Sequence, residues 1–242
     1  MRPITLVYAF YDNKNMLLRH LREWLSYAPE AKVAIKIIVV DDASPSCNAA
    51  DIVREFGYTG MDIQVYRVKK DTPWNQDGAR NLAMTQCATE WAFMTDMDHL
   101  LPRSQAKLIL EFVEDSAEAG WYYMPNQYLV HGGSLNRPHP NTYLMRRDDF
   151  WRMGGYDEDF AGWYGSDGNF RKCAKGAGLM EIPIMHFHTV VFRAGDIQDA
   201  NTKLSRKEGP MYAPLNHKLE RKRRGPPYRA VNPVRFEWKR EL

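Results

Sequence analysis

Apolar positions along this 242-residue chain fall into two periods that alternate. Ile4 to Phe10 is a nearly unbroken apolar run of strand length. Asn13 through Tyr27 follows, with Met16, Leu17, Leu21, Trp24 and Leu25 at spacings that fill one face of a helix. The pair then repeats. Val33 to Val40 is apolar, Asp41 to Ser46 is a turn rich in capping residues, and a helix is predicted from about Asn48 to Phe56. Ile63, Val65, Tyr66 and Val68 mark a third strand, Gly78 to Ala88 another helix, and Trp91 to Thr95 a fourth strand. Strands alternating with helices predict an α/β fold whose mostly parallel central sheet is covered on both faces. Such sheets bind ligands beyond the carboxyl ends of their strands, and Asp12, Asp41, Asp42, Asp96 and Asp98 all fall there.

The second half carries the same signals more sparsely. Asn141 to Arg147 is a strand, Phe150 begins a short helix, Gly154-Gly155 is a turn, and Phe170 to Ala177 is helical. Ile182 to His188 closes the pattern as a last strand. Nothing in the punctuation demands a second globular domain. The expected organisation is a core over residues 1–195, with a first half over about 1–102 and a second over about 103–195, then an extension over 196–242.

Charge changes the picture at that extension. Residues 203–242 hold 12 Lys and Arg against 4 Asp and Glu, a net +8, which leaves −5 on the remainder. Such a tail is either a solvated extension or a contact for phosphate, an anionic membrane surface or nucleic acid; the acidic core and the lack of a reader motif make nucleic acid the poorer fit. No run approaches the roughly 18 apolar residues of a membrane span. No uninterrupted signal-peptide core is visible, and Cys47, Cys87 and Cys173 form no CxxC pair. The expected setting is cytoplasmic, with the tail offering a peripheral membrane contact.

The candidate chemistry centres on Thr95-Asp96-Met97-Asp98-His99, where an apolar strand ends in two carboxylates one residue apart. In extended backbone they project to one side, and the usual remedy for their repulsion is a divalent cation. Hard oxygen ligands suit Mg2+ or Mn2+, which would in turn hold a nucleotide's phosphates. The alternative is an acidic loop in which Asp98 caps the next helix. Asp41 and Asp42 are candidates either for a cap or for accepting the imide N–H of uracil. Arg80, near the start of a helix, suits a diphosphate or is simply a surface arginine. Trp163 and Tyr164 offer apolar faces to a sugar ring or pack on the sheet. His186 and His188 share one face of a strand.

VVDDAS at 39–44, GARN at 78–81, TDMDHLLP at 95–102, GGYDEDF at 154–160 and GWYGSDGNFRKCAKGAG at 162–178 together resemble the ordered motifs of GT-A glycosyltransferases. The likeness spans about residues 4–195 and is strongest to family-2-type enzymes and the β-1,4-galactosyltransferase core. It implies a Rossmann-like GT-A fold, a nucleotide-sugar donor (UDP-linked in most members), a glycan or other hydroxyl acceptor, and a metal-dependent, inverting transfer. It further implies that Asp98 binds Mn2+ or Mg2+ directly, that Asp96 lies nearer the ribose or a metal-bound water, and that a late histidine completes the metal site. His188 is the first choice for that ligand, then His186, with Met185 as a further candidate. Asp12, Asp41, Asp42, Arg80 and Asp96 fall to the nucleotide, and Trp163, Tyr164 and Ser166 to the acceptor. Asp167 is the implied general base; its other reading is a helix N-cap. Ser166 departs from the motif, where a glutamate normally stands, which leaves the acceptor class open. The rival functions are a nucleotide-binding domain without catalysis and a nucleic-acid-binding protein acting through the tail.

Overall fold

Unbroken apolar runs need cover on both faces, and the computed structural model, which describes residues 1–57, 60–163, 165–201, 215–231 and 233–242, supplies it. Strands β1 (Ile4–Phe10), β2 (Ile35–Asp41), β3 (Asp62–Val68) and β4 (Trp91–Asp96) pair in parallel in the order β3-β2-β1-β4. The period of two along β1 is visible in its burial. Ile4, Leu6, Tyr8 and Phe10 pack with α1 (Lys14–Leu25), α2 (Pro29–Ala34), α3 (Ala49–Phe56) and α5 (Arg103–Asp115), whereas Val7 joins the layer under α4 (Gln76–Gln86). Register brings the strand ends level: Phe10 lies opposite Asp41, and Ala9 opposite Asp96.

The sheet then continues with mixed direction. β8 (Tyr143–Arg146) runs antiparallel to β4, β6 (Trp121–Leu129) antiparallel to β8, and β9 (Met180–Val191) parallel to β6. The two-residue β5 (His99–Leu100) pairs with the end of β9, and β7 (Ser134–Pro138) hangs on β6 as a hairpin. The short α6 (Arg147–Arg152) and α7 (Ser166–Gly176) cover this half on the α4 side. The register of β6 on β9 breaks: Pro125 opposes Ile184 but Asn126 opposes His188, so Met185, His186 and Phe187 bulge out of the ladder. No described helix is long and apolar enough to cross a membrane.

Among the described residues, contacts with the core continue past residue 195. Asp199 accepts from the backbone N–H groups of Asn15 and Met16 and so caps α1 from far along the chain. Beyond it, α8 (His217–Arg224) leads into a strap that ends in β10 (Trp238–Arg240), antiparallel on the β3 edge. Part of the basic charge of the described tail meets acids of the core. Lys222 donates to Asp157 and Asp159, Lys218 pairs with Asp159, and Arg235 reaches Glu158 and Asp159. Burial opposes ionisation of Asp159, but these three cations hold its carboxyl well below the usual range. Glu158, 5% exposed, also accepts from the backbone N–H groups of Val234 and Arg235.

The strap needs glycines beneath it. At Gly154, where φ is +90°, an added Cβ would stand 1.9 Å from the Ala230 carbonyl oxygen. Gly154→Ala is therefore expected to lower stability by about 2 kcal/mol or more, seen as a melting temperature down by several degrees. An unchanged melting curve would mean that the strap is not seated there in solution.

Candidate active site at the strand ends

A cavity of about 400 Å³ opens where β2, β1 and β4 end. Asp42 follows β2, Phe10 and Tyr11 end β1, and Asp96 ends β4, so Asp42 and Asp96 stand on either side of β1, roughly 10 Å apart by strand spacing. Gln127, Arg137, His139 and Asn141 close it from the second half, with Ser166 and Asp167 at the start of α7. Arg193, Ala200 and Asn201 complete the wall.

Asp96 is the most heavily tied residue in this cavity. Its Oδ1 accepts from Arg80 Nη2 at 2.5 Å and from the Gln76 amide; its Oδ2 faces Asn141 Nδ2 at 3.4 Å and His139 Nε2 at 3.6 Å. Burial works against its charge, yet Arg80, His139 and His99 outweigh that and hold the carboxyl below the ordinary value. Arg80 itself is 1% exposed and also donates to Tyr156 Oη at 2.6 Å and the Asn141 carbonyl at 3.1 Å. Between the two aspartates, the Met97 carbonyl accepts from His20 Nε2 at 2.8 Å. Burial pushes His20 down to about 4, so it is neutral and able to serve as a fixed donor.

Three ligating atoms, one each from Asp96, His99 and His139, lie within 4.8 Å of one another. The two imidazoles stack at 3.7 Å between centroids. His99 Nδ1 meets Asp98 Oδ1 at 2.8 Å, and a carboxylate accepts, so Nδ1 carries a proton; Nε2 faces Gln127 Oε1 at 3.4 Å and would have to exchange that contact to ligate. Burial disfavours the charged form of His99, but Asp98 and then Asp96 reverse this and raise its pKa. The donor set of one carboxylate and two imidazoles suits a first-row divalent transition-metal ion.

The profile of the family described as Glycosyl transferase family 2 matches residues 5–167. The chain belongs to glycosyl transferase family 2. Its fold is similar to that of S. aureus TarS 1-349, with TM-score 0.64 at 13% identity over 82% of this chain and 63% of that one. It is also similar to the mannosyltransferase PcManGT from Pyrobaculum calidifontis in complex with GDP-Man and Mn2+, with TM-score 0.61 at 16% identity over 78% of this chain and 57% of that one. A third similarity is to GalNAc-T7 with UDP, GalNAc and Mn2+, with TM-score 0.61 at 14% identity over 80% and 44% of the two chains. This family 2 chain thus spans less than two thirds of each of those structures. No curated protein sequence matches it.

Of the residues expected at the site, the fold brings Asp42, Asp96, Asp98, Ser166 and Asp167 to the cavity. Others are placed differently. Arg80 lies beneath Asp96, with its charge already matched, instead of facing a diphosphate. Asp41, fully buried, accepts from Ser44 N, Ala49 N and Arg67 Nη1, and Asp12 accepts from Ser46 N and Oγ; both hold the turn after β2. Asp98 backs His99 and lies outside the three-atom cluster. The bulge in β9 turns His186 toward Phe112 and His188 onto Tyr128, and neither they nor Met185 line the cavity. Trp163 is half-buried off the cavity wall, and Tyr164 lies outside the described residues. His99, His139, Gln76 and Asn141 were not expected. His139 did have a local signal, since Pro138 and Pro140 bracket it and fix its backbone.

Removing Arg80 should leave Asp96, whose side chain is only 20% exposed, beside no full compensating charge. Arg80→Met is expected to cost about 3 kcal/mol or more at pH 7. Asp96 has a depressed folded pKa, so the pair's contribution is full above the unfolded carboxylate value and is lost as pH falls through the folded one. The stability gap between wild type and variant should therefore narrow below about pH 4. Denaturant melts at pH 7 and pH 3 test this; an equal gap at both would disconnect Arg80 from the charge on Asp96.

Proposed function

We propose that this chain transfers a sugar from a nucleotide-sugar donor, UDP-linked, to a hydroxyl acceptor with inversion, using a divalent cation held by Asp96, His99 and His139. The observation that carries this reading is the three-atom cluster, set in one cavity with Asp42 on one side and Asp167 on the other. The Mn2+ in the PcManGT and GalNAc-T7 structures, and the nucleotide in each, support it. A bound cation would supply positive charge to the departing diphosphate.

The chain's own residues divide the rest of the work. Asp42, Tyr11 and Trp74 form the wall at the base end, where a carboxylate can accept an imide N–H and aromatic rings can cover a flat base. Arg80 keeps Asp96 ionised, and Asp98 orients His99. Arg137 and Arg193 bring exposed cations to the same wall, in reach of phosphate oxygens. Asp167 takes the proton of the acceptor hydroxyl as the new glycosidic bond forms and the nucleoside diphosphate leaves. The acceptor is a glycan or another alcohol. A peripheral contact with an anionic membrane surface on the cytoplasmic side would fall to Arg221, Arg223 and Arg224, the exposed cations of α8.

Calorimetry with UDP should show binding that collapses in chelator. His139→Ala should weaken it by about tenfold or more, while His188→Ala leaves it unchanged. Equal affinity with Mn2+ and with chelator, or a stronger response to GDP than to UDP, would sink the corresponding part of the proposal. Asp167→Asn should keep UDP affinity and melting temperature while turnover of UDP-sugar falls by about a hundredfold or more. Full turnover in that variant would leave a nucleotide-binding domain with no base at Asp167.

A further inference from the structure

Met97 and Asp98 both line the cavity, but the carbonyl of Met97 is turned into the core, where it accepts from His20 Nε2 at 2.8 Å. A carbonyl oxygen only accepts, so His20 carries its proton on Nε2. His20 is fully buried on α1 and is not part of the cavity wall. The rings of Tyr8 and Trp24 pack against it at 4.6 and 5.4 Å between centroids. A phenylalanine would fill this place without bringing a polar atom into the core, so the histidine nitrogen has to be accounted for. What it secures is the Met97 carbonyl. α1 and the turn after it grip the same segment twice more: Tyr27 Oη donates to the Leu101 carbonyl at 2.7 Å, and Glu23 Oε1 accepts from Arg103 N at 2.7 Å.

The described chain has no cis peptide bond, and in a planar trans peptide the C=O and the following N–H point in opposite directions. With the Met97 carbonyl drawn toward α1, the N–H of Asp98 is directed the other way, to the side on which both residues line the cavity. The rest of Asp98 is occupied. Its Oδ1 accepts from His99 Nδ1, its carbonyl accepts from Phe192 N at 2.9 Å, and no backbone acceptor meets its own N–H among the described residues. We propose that His20 is a positioning residue whose hydrogen bond fixes the Met97–Asp98 peptide, and that the Asp98 N–H so presented binds a phosphate oxygen of the donor's diphosphate. This rests on the nucleotide-sugar reading above. The N–H stands in the chain between Asp96 and His99, two of the three candidate cation ligands. A backbone N–H can only donate, and an anionic phosphate oxygen is a stronger acceptor for it than a neutral sugar hydroxyl. Because His20 sets the peptide before any ligand arrives, the donor needs no reorganisation on binding.

The sequence supplies a direct probe, because Met-Asp occurs only at Met61-Asp62 and Met97-Asp98. With ¹³C-carbonyl methionine and ¹⁵N-aspartate in the full chain, an NMR spectrum correlating each amide with the preceding carbonyl shows those two peptides alone. Asp62→Asn, at an exposed position on β3, removes the first and so assigns the second. Saturating UDP with Mg2+, which is diamagnetic, should move the Asp98 amide proton downfield and leave that of Asp62 in place. His20→Phe should move the Met97 carbonyl carbon upfield, as loss of its hydrogen bond requires, and weaken UDP by about tenfold in calorimetry. His20→Gln, whose amide nitrogen can take the place of Nε2, should restore both. A merely structural role for His20 would lower the melting temperature and leave UDP affinity unchanged. Wild-type affinity in a folded His20→Phe overturns the positioning role, and the wild-type spectrum decides the donor even where that variant does not fold. A wild type that binds no UDP sinks the functional reading and this donor with it, whereas binding without a shift at Asp98 overturns the donor alone.

Discussion

The pairing of buried Arg80 with Asp96 on the cavity wall is the constraint on which the rest of this site depends. Asp96 ends the strand next to β1, and Arg80 reaches it from inside α4 with almost no surface of its own. Charges drawn out of water hold together best where their other donors and acceptors are met, and of the Arg80 nitrogens Nε alone lacks a partner among the described residues. Here the guanidinium also binds Tyr156 and the Asn141 carbonyl, while the carboxylate takes Gln76. Asn81, one residue on, clasps the backbone N–H and carbonyl of Tyr156 and the Glu158 carboxylate. The segments 78–81 and 154–160, which read along the chain as separate motifs, are therefore two sides of one contact. Moving either would release Asp96 from its place in the cavity.

That contact extends to the carboxyl terminus. Glu158 binds Asn81 on one side and the strap at Val234 and Arg235 on the other, and Phe236 lies against Gly78 so closely that an added Cβ there would stand 2.5 Å from its ring. The first turn of α4, which carries Gln76, Asp77 and Arg80, is thus held from behind by residues more than 150 positions later in sequence. A tail that by charge alone looks like an arm for an outside partner becomes, where it is described, a brace whose lysines and arginines neutralise the acids of 157–159. Charge counting gave its sign but not these internal pairs, because composition does not show that an acidic triplet waits on the core.

The fold was legible where one signal sufficed. Apolar runs and helical spacing placed β1 to β4 and α1, α3 and α4 to within a few residues, and the strand-end rule placed Asp42, Asp96 and Asp98 at the cavity. It failed where the answer lay in a long-range contact. Asp41 and Arg80 have the right residue types at the right strand and helix ends, yet Arg67 and Asp96 claim their charges first. His186 and His188 lie on a strand whose alternation breaks, and nothing local in Ile182 to His188 announces a bulge that depends on pairing with Pro125 and Asn126. His139 was missed for the opposite reason: it sits on the link from β7 to β8, and only the hairpin on β6 brings that link over Asp96.

The distribution of charge across the cavity then follows from who is already satisfied. Asp96 enters it as a carboxylate whose charge Arg80 has largely balanced from below, so its free oxygen faces His139 without a strong net field. Asp98 is spent on His99 in the same way. On the elements that follow β4, the wall also carries Arg137 and Arg193, and Asp167, none of which forms an ion pair with another described residue. An anionic diphosphate would be drawn to the first pair and repelled by the last, while a neutral alcohol would be indifferent to the arginines and would find a proton acceptor at α7. Opposite demands of this kind orient a donor and an acceptor in one cavity without a wall between them, and they arise because the core has consumed the charges that would otherwise blur the difference.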